Sequence, residues 1–152
     1  MLTLWTGQRQ GDLLKLTWAA YDGEMIRLCQ GKTGVSISVP VGAPLKALLD
    51  STKRKSPQML VNHSGFPWTP DGFRVSWRKA CINAGIDGIT FHDLPGTAVT
   101  RLFMVGCSEE EIATLTGHSL QDVRSILDSH YFSRNVSWRY PQPRSDNKIG
   151  KR

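Results

Sequence analysis

Thr6-Gly7-Gln8-Arg9-Gln10-Gly11-Asp12-Leu13-Leu14 decides how this chain is read. Gly11 is a start signal, and the leucines of Asp12-Leu13-Leu14-Lys15-Leu16 stand at helical spacing behind it. Arg9 therefore stands just ahead of a helix. A guanidinium presents a planar fork that grips two oxygens of a phosphate. A single arginine is more often an ordinary surface charge, so its weight depends on what surrounds it.

Outward from that stretch, Met25-Ile26-Arg27-Leu28-Cys29 and Val35-Ser36-Ile37-Ser38-Val39 read as strands, the second by strict alternation. Gly31 and Gly34 bracket a turn, which predicts a β-hairpin with Lys32 at its tip. Gly31-Lys32-Thr33 is not a nucleotide phosphate loop, because Met25 and Ile26 stand where its first glycine is needed. A helix runs from Pro44 to Leu49, Lys53 to Pro57 is a polar loop, and Gln58 to Val61 is a third short strand. Thr69 caps a helix that has Pro70 at its first position. That helix puts Phe73, Trp77 and Ala80 on one face, with Arg74 and Arg78 alongside. Thr90 caps the helix carrying His92, and Ser108-Glu109-Glu110-Glu111 is a capping box. Gly117 ends the helix that follows, and Ser119 caps the next one, through Val123, Ile126 and Leu127. The sum is a mainly α protein with a small three-stranded antiparallel β-sheet.

The 152 residues suit one domain with a real core. Lysine and arginine number 19 against 13 acids, a net charge of +6. Lys53, Arg54, Lys55, Arg74, Arg78 and Lys79 are opposed in their region only by Asp71, and Arg134 to Arg152 only by Asp146. Solvated surfaces explain such clusters in part; a polyanionic partner explains them better. Cys29, Cys81 and Cys107 lack the spacing of a zinc site or a disulfide framework, so no metal is expected and a reducing cytoplasm fits. No apolar run approaches the roughly 18 residues of a membrane span, so no membrane partner is expected.

Four further settings complete the picture: Lys32 in Gly31-Lys32-Thr33-Gly34, His92 in His92-Asp93-Leu94-Pro95, His118 in Thr116-Gly117-His118-Ser119-Leu120, and Tyr131 in His130-Tyr131-Phe132. With the Arg9 stretch they resemble the catalytic domain of the tyrosine recombinases, the phage integrase family, over residues 1 to 136. The resemblance implies that family's fold, with an irregular basic tail over 137–152. It implies DNA cleavage and rejoining with no cofactor, in a bacterial or phage-encoded, nucleoid-associated protein. Arg9 would bind the scissile phosphate, and Lys32 would protonate the leaving 5′-oxygen. His92 would bond a phosphate oxygen or the phenol, and His118 would be a second donor to the phosphate. Tyr131 would be the nucleophile. His63 has no such setting, and His130 reads as structural or supporting.

Three departures stand out. The family pattern at His92 is His-x-x-Arg, but the fourth position here is Pro95, which has neither charge nor donor. The family's amino-terminal DNA-clamping domain is expected to be absent. The tail prolines Pro141 and Pro143 break the helix that would dock on a neighbouring protomer. The expectation is a site-specific recombinase domain of impaired activity, with duplex DNA and other recombinase protomers as partners. A non-catalytic DNA-binding protein that keeps the fold is the alternative. Type IB topoisomerases share this style of site, but the short Gly-His-Ser and hairpin settings look like integrases.

Overall fold

Leu13 and Leu14 are both buried, and Leu13 anchors a short helix to the first of two cores. In the computed structural model, residues 1–132 are described. Helix α1 (Leu2–Thr6) ends at Gly7 and α2 (Gln10–Lys15) follows. Strands β1 (Met25–Cys29) and β2 (Ser36–Pro40) form the hairpin, and α3 (Ala43–Ser51) returns over it. Helix α4 (Pro70–Asn83) precedes α5 (Leu94–Met104), α6 (Glu109–Thr116) and α7 (Leu120–Leu127). A π-helical turn, Asp128–Phe132, continues α7.

The hairpin pairs Ile26 with Val39 and Leu28 with Ile37. In β2 the alternation turns Ile37 and Val39 inward and leaves Ser36 and Ser38 exposed. The caps act as the sequence indicates. Thr69 Oγ1 accepts from the Gly72 N–H at 3.1 Å. Ser108 with Glu111, Ser119 with Asp122, and Thr90 with Asp93 form reciprocal boxes.

Two expectations need correction. The sheet has two strands among the described residues, not three. Gln58 to Val61 instead crosses the link after α2: the Trp18 N–H donates to the Pro57 carbonyl and the Met59 N–H to the Leu16 carbonyl, both at 2.9 Å. Only Thr17 and Gln58 form a bridge there. The available partner is itself a short connection, so no ladder can extend, and Pro57 has no N–H to give. On α4 the inward face runs Phe73, Trp77 and Cys81; Ala80 is exposed. Spacing of four residues, rather than four then three, sets that stripe.

Leu13, Leu16, Ile26, Leu45 and Leu49 belong to the first core; Val99, Ile112, Val123 and Leu127 form the second. α1 packs on α5, and α6 on β2, which ties the two halves together. The Phe91 ring receives Phe73 and Trp77 edge-on, with centroids 4.9 and 5.1 Å away, so α4 fixes the turn Phe91–Asp93 that carries His92. The 137–152 tail and its cations lie outside the described residues, as do Arg134 and Tyr140.

Candidate active site

Arg9 caps α2 from an extended backbone and donates nothing through its side-chain Nη1, which is buried without a partner. A buried guanidinium N–H left unpaired is costly, and an anion would satisfy it. Arg9 lines a cavity of about 320 Å³, together with Lys32, His92, Pro95, His118 and His130. Lys32 is exposed on the hairpin turn. The base of that turn is pinned to α2, because the Gly31 N–H donates to Asp12 Oδ1 at 2.8 Å. His92 is exposed on the turn that Thr90 and Asp93 cap.

His118 is half-buried beside Asp122. Burial, and then the Arg9 charge, hold its pKa below the ordinary histidine value, against a smaller upward pull from Asp122. Its Nδ1 lies 2.9 Å from Thr116 Oγ1. That hydroxyl already donates its proton to the Ile112 carbonyl at 2.6 Å, so it accepts from Nδ1–H. The neutral tautomer therefore carries its hydrogen on Nδ1 and leaves Nε2 as an acceptor. In this form His118 takes a proton; it donates from Nε2 only once protonated.

The structure thus gathers Arg9, Lys32, His92 and His118 on one cavity. Tyr131 is not among its walls. Its ring stacks edge-on against Phe103 at 5.2 Å and Phe132 at 5.3 Å. Its neighbour His130, read from sequence as structural or supporting, lines the cavity itself. Asp12 and Asp122 were not singled out in the sequence. The acid three residues after Arg9 was the available signal for the first, and the capping box at Ser119 for the second. Pro95 is buried in the first turn of α5 and forms part of the cavity wall. Lys53, Arg54, Lys55 and Lys79 are exposed and stand away from these walls; the Arg54 guanidinium lies 4.9 Å from the Trp18 ring centroid. Arg74 and Arg78 instead border a wider, apolar depression of about 660 Å³ that reaches His92. His63 bonds only its neighbour Ser64 among the described contacts.

This geometry agrees with what the sequence is similar to. The profile described as the phage integrase family matches residues 1–133. The chain belongs to the phage integrase family. The shufflon-specific DNA recombinase of Escherichia coli is 34% identical over 122 residues, which is 77% of this chain and 30% of that protein. A lambda integrase dimer bound to a COC′ core site superposes with a TM-score of 0.72 at 25% identity, over 91% of this chain and 42% of that one. The lambda integrase catalytic core gives 0.66 at 27% identity, over 77% and 75%. XerA recombinase shares the fold, with a TM-score of 0.67 at 22% identity over 91% and 57%. The chain spans under a third of the length of its shufflon relative. Among the described residues no helix is long and apolar enough to cross a membrane.

Proposed function

We propose that this chain is the catalytic domain of a tyrosine recombinase acting on duplex DNA in the cytoplasm. The observation that carries the reading is the cavity shared by Arg9, Lys32, His92 and His118. In the proposed step the Tyr131 phenol oxygen attacks phosphorus, and the bond to the 5′-oxygen breaks. The phenol proton passes to an imidazole of the cavity, and Lys32 gives a proton to the leaving oxygen. The products are a 3′-phosphotyrosyl bond and a free 5′-hydroxyl, and the reverse rejoins the strand. Arg9 meets the charge that develops on the non-bridging oxygens. Tyr131 must leave Phe103 to reach that phosphate, so the turn Asp128–Phe132 must rearrange. Other copies of the recombinase are the expected partners on DNA.

Pro95 favours a second reading, a DNA-binding domain that no longer cuts. Both readings use the cations Lys53, Arg54, Lys55, Arg74, Arg78 and Lys79 to hold the backbone. Gel-shift titration at two salt concentrations tests what they share. Binding no tighter than about micromolar, weakening steeply with salt, is expected from counterion release. Salt-indifferent binding would sink both. Capture of a denaturant-stable protein–DNA adduct on a suicide substrate, lost in Tyr131→Phe, separates the catalytic reading from the binding one.

A further inference from the structure

Three turns of the cavity wall meet in one buried cluster of amides. Gln8, directly before Arg9, is 0% exposed; Gln30, two residues before Lys32, and Thr116, two before His118, are each 1% exposed. Gln30 Nε2 donates to Gln8 Oε1 at 2.8 Å and to the Thr116 carbonyl at 2.9 Å. Gln8 Nε2 donates to the same carbonyl at 3.0 Å and to the Thr6 carbonyl at 2.7 Å. Gln30 Oε1 accepts from Thr33 Oγ1 at 2.7 Å, which closes the hairpin turn on the cluster. All four amide hydrogens are used, so neither amide can flip without setting like groups against each other.

The surrounding backbone is shaped to admit the cluster. A Cβ on Gly117 would lie 2.6 to 2.8 Å from the Gln30 amide, and one on Gly7 would lie 2.6 Å from Thr116 Cγ2. Holding two amides out of water costs free energy that an apolar pair of equal shape would not incur. What the amides add is direction. They join Arg9, the Lys32 hairpin and the His118 turn, with Gln30 and Gln8 reaching the Thr116 carbonyl across 86 and 108 positions of the chain.

We propose that Gln30, acting with Gln8, is a positioning residue that sets the spacing of Arg9, Lys32 and His118 to fit one tetrahedral oxyanion. It touches no substrate and works through the three turns it joins. The inference rests on the anion-binding reading of the cavity and adds the residues that tune it.

Sulfate is the probe, since it binds as a tetrahedral dianion and holds its charge as histidines titrate. Its binding is followed on the Cε1–H resonances of His118 and His92. In the unaltered chain both resonances should move along one isotherm. Gln30→Met keeps the volume and removes the hydrogen bonds; a thermal melt checks that it folds. It should bind sulfate about tenfold more weakly, the lower end of what losing a supporting hydrogen bond costs at a ligand site. Gln30→Glu sets a carboxylate against two acceptors. Burial among acceptors favours its protonated form, which restores one donor. Its deficit relative to the unaltered chain at the same pH should therefore shrink as pH falls, whereas that of Gln30→Met should not. A general loss of packing predicts no such difference. If Gln30→Met does not fold, Thr33→Val removes the bond to Gln30 Oε1, together with the longer one accepted from the Val35 N–H at 3.3 Å, and should weaken sulfate a few-fold. A folded Gln30→Met or Thr33→Val that binds sulfate like the unaltered chain overturns the positioning role alone. If sulfate moves neither histidine in the unaltered chain, the anion-binding reading falls, and the positioning role falls with it.

Discussion

Arg9 and Tyr131 are held by different means. The Arg9 wall is set by buried amides, a backbone N–H bound to Asp12, and glycines in left-handed conformations. The Tyr131 ring itself meets Phe103 and Phe132 edge-on at 5.2 and 5.3 Å and packs beside the second core, on a wide helical turn at the end of α7. Directional hydrogen bonds among buried groups are hard to leave, whereas an aromatic pair contributes only about 0.5–1.5 kcal/mol beyond its buried area. A fixed wall can receive a phosphate in one geometry while Tyr131, the proposed nucleophile, rests on non-directional contacts. The proposed reaction needs that division, because Tyr131 must travel and Arg9 must not.

The largest expected effect tests whether the wall is complete. Pro95→Arg should raise adduct formation on a suicide substrate by about 10²–10³, the usual worth of one preorganised donor to a developing oxyanion. Tyr131→Phe in that background should abolish it. DNA is supplied in large excess so that weak binding does not mask the gain. If the unaltered chain cleaves as fast as Pro95→Arg, Pro95 is no defect and the account of this wall is wrong.

The second test addresses the rigidity of the wall. Gly117 and Gly85 have nearly the same left-handed backbone, φ 69° and 66°. A Cβ at Gly85 meets nothing within 4 Å, while one at Gly117 meets the Gln30 amide. Gly85→Ala should cost only the backbone term, about 1–2 kcal/mol. Gly117→Ala should cost that plus about 1–3 kcal/mol for displaced buried hydrogen bonds. Urea melts of the two variants give the difference directly. Equal losses would show that the cluster yields easily.

The third test turns to the tyrosine. Phe103→Ala removes the ring that Tyr131 leans on. In the Pro95→Arg background, assayed well below the melting temperature, it should speed adduct formation by about two- to tenfold, the worth of one aromatic pair. A slower rate would mean that Phe103 helps to present the phenol rather than restrain it.

The same contrast explains what the sequence could reveal. Arg9, Lys32, His92 and His118 stand in short local settings of glycine, caps and turn residues, and those settings are legible because each is made by neighbours in the chain. The helix starts at Thr69, Ser108 and Ser119 were legible for the same reason. The amide cluster was not. A glutamine in sequence is an ordinary polar residue, and only partners 86 and 108 positions away make Gln30 and Gln8 structural. Tyr131's place against Phe103 was equally hidden, since no local pattern says which ring a tyrosine meets. The third strand failed because a β-like segment needs a partner with room to pair, and Leu16 to Trp18 offers one bridge.

The smallest expected effect lies in how the wall answers its ligand. His118 is desolvated and lies near the Arg9 cation, so its folded pKa is depressed. The unfolded chain binds that proton at the ordinary value of about 6.5. The stabilisation from neutral His118 is thus complete above that value and is lost as pH falls from there through the folded pKa. An anion in the cavity changes the balance. It shields the Arg9 charge and gives a protonated Nε2 something to donate to, so both effects favour the charged imidazole. Binding and protonation are then linked: sulfate should raise the His118 pKa, and lower pH should tighten sulfate. A titration of the His118 Cε1–H resonance with and without saturating sulfate measures the shift. If His118 titrates at its ordinary value in the free protein, its proton is not governed by burial and Arg9. If sulfate leaves that titration unmoved, Nε2 does not face the anion, and His118 serves the wall only through Thr116.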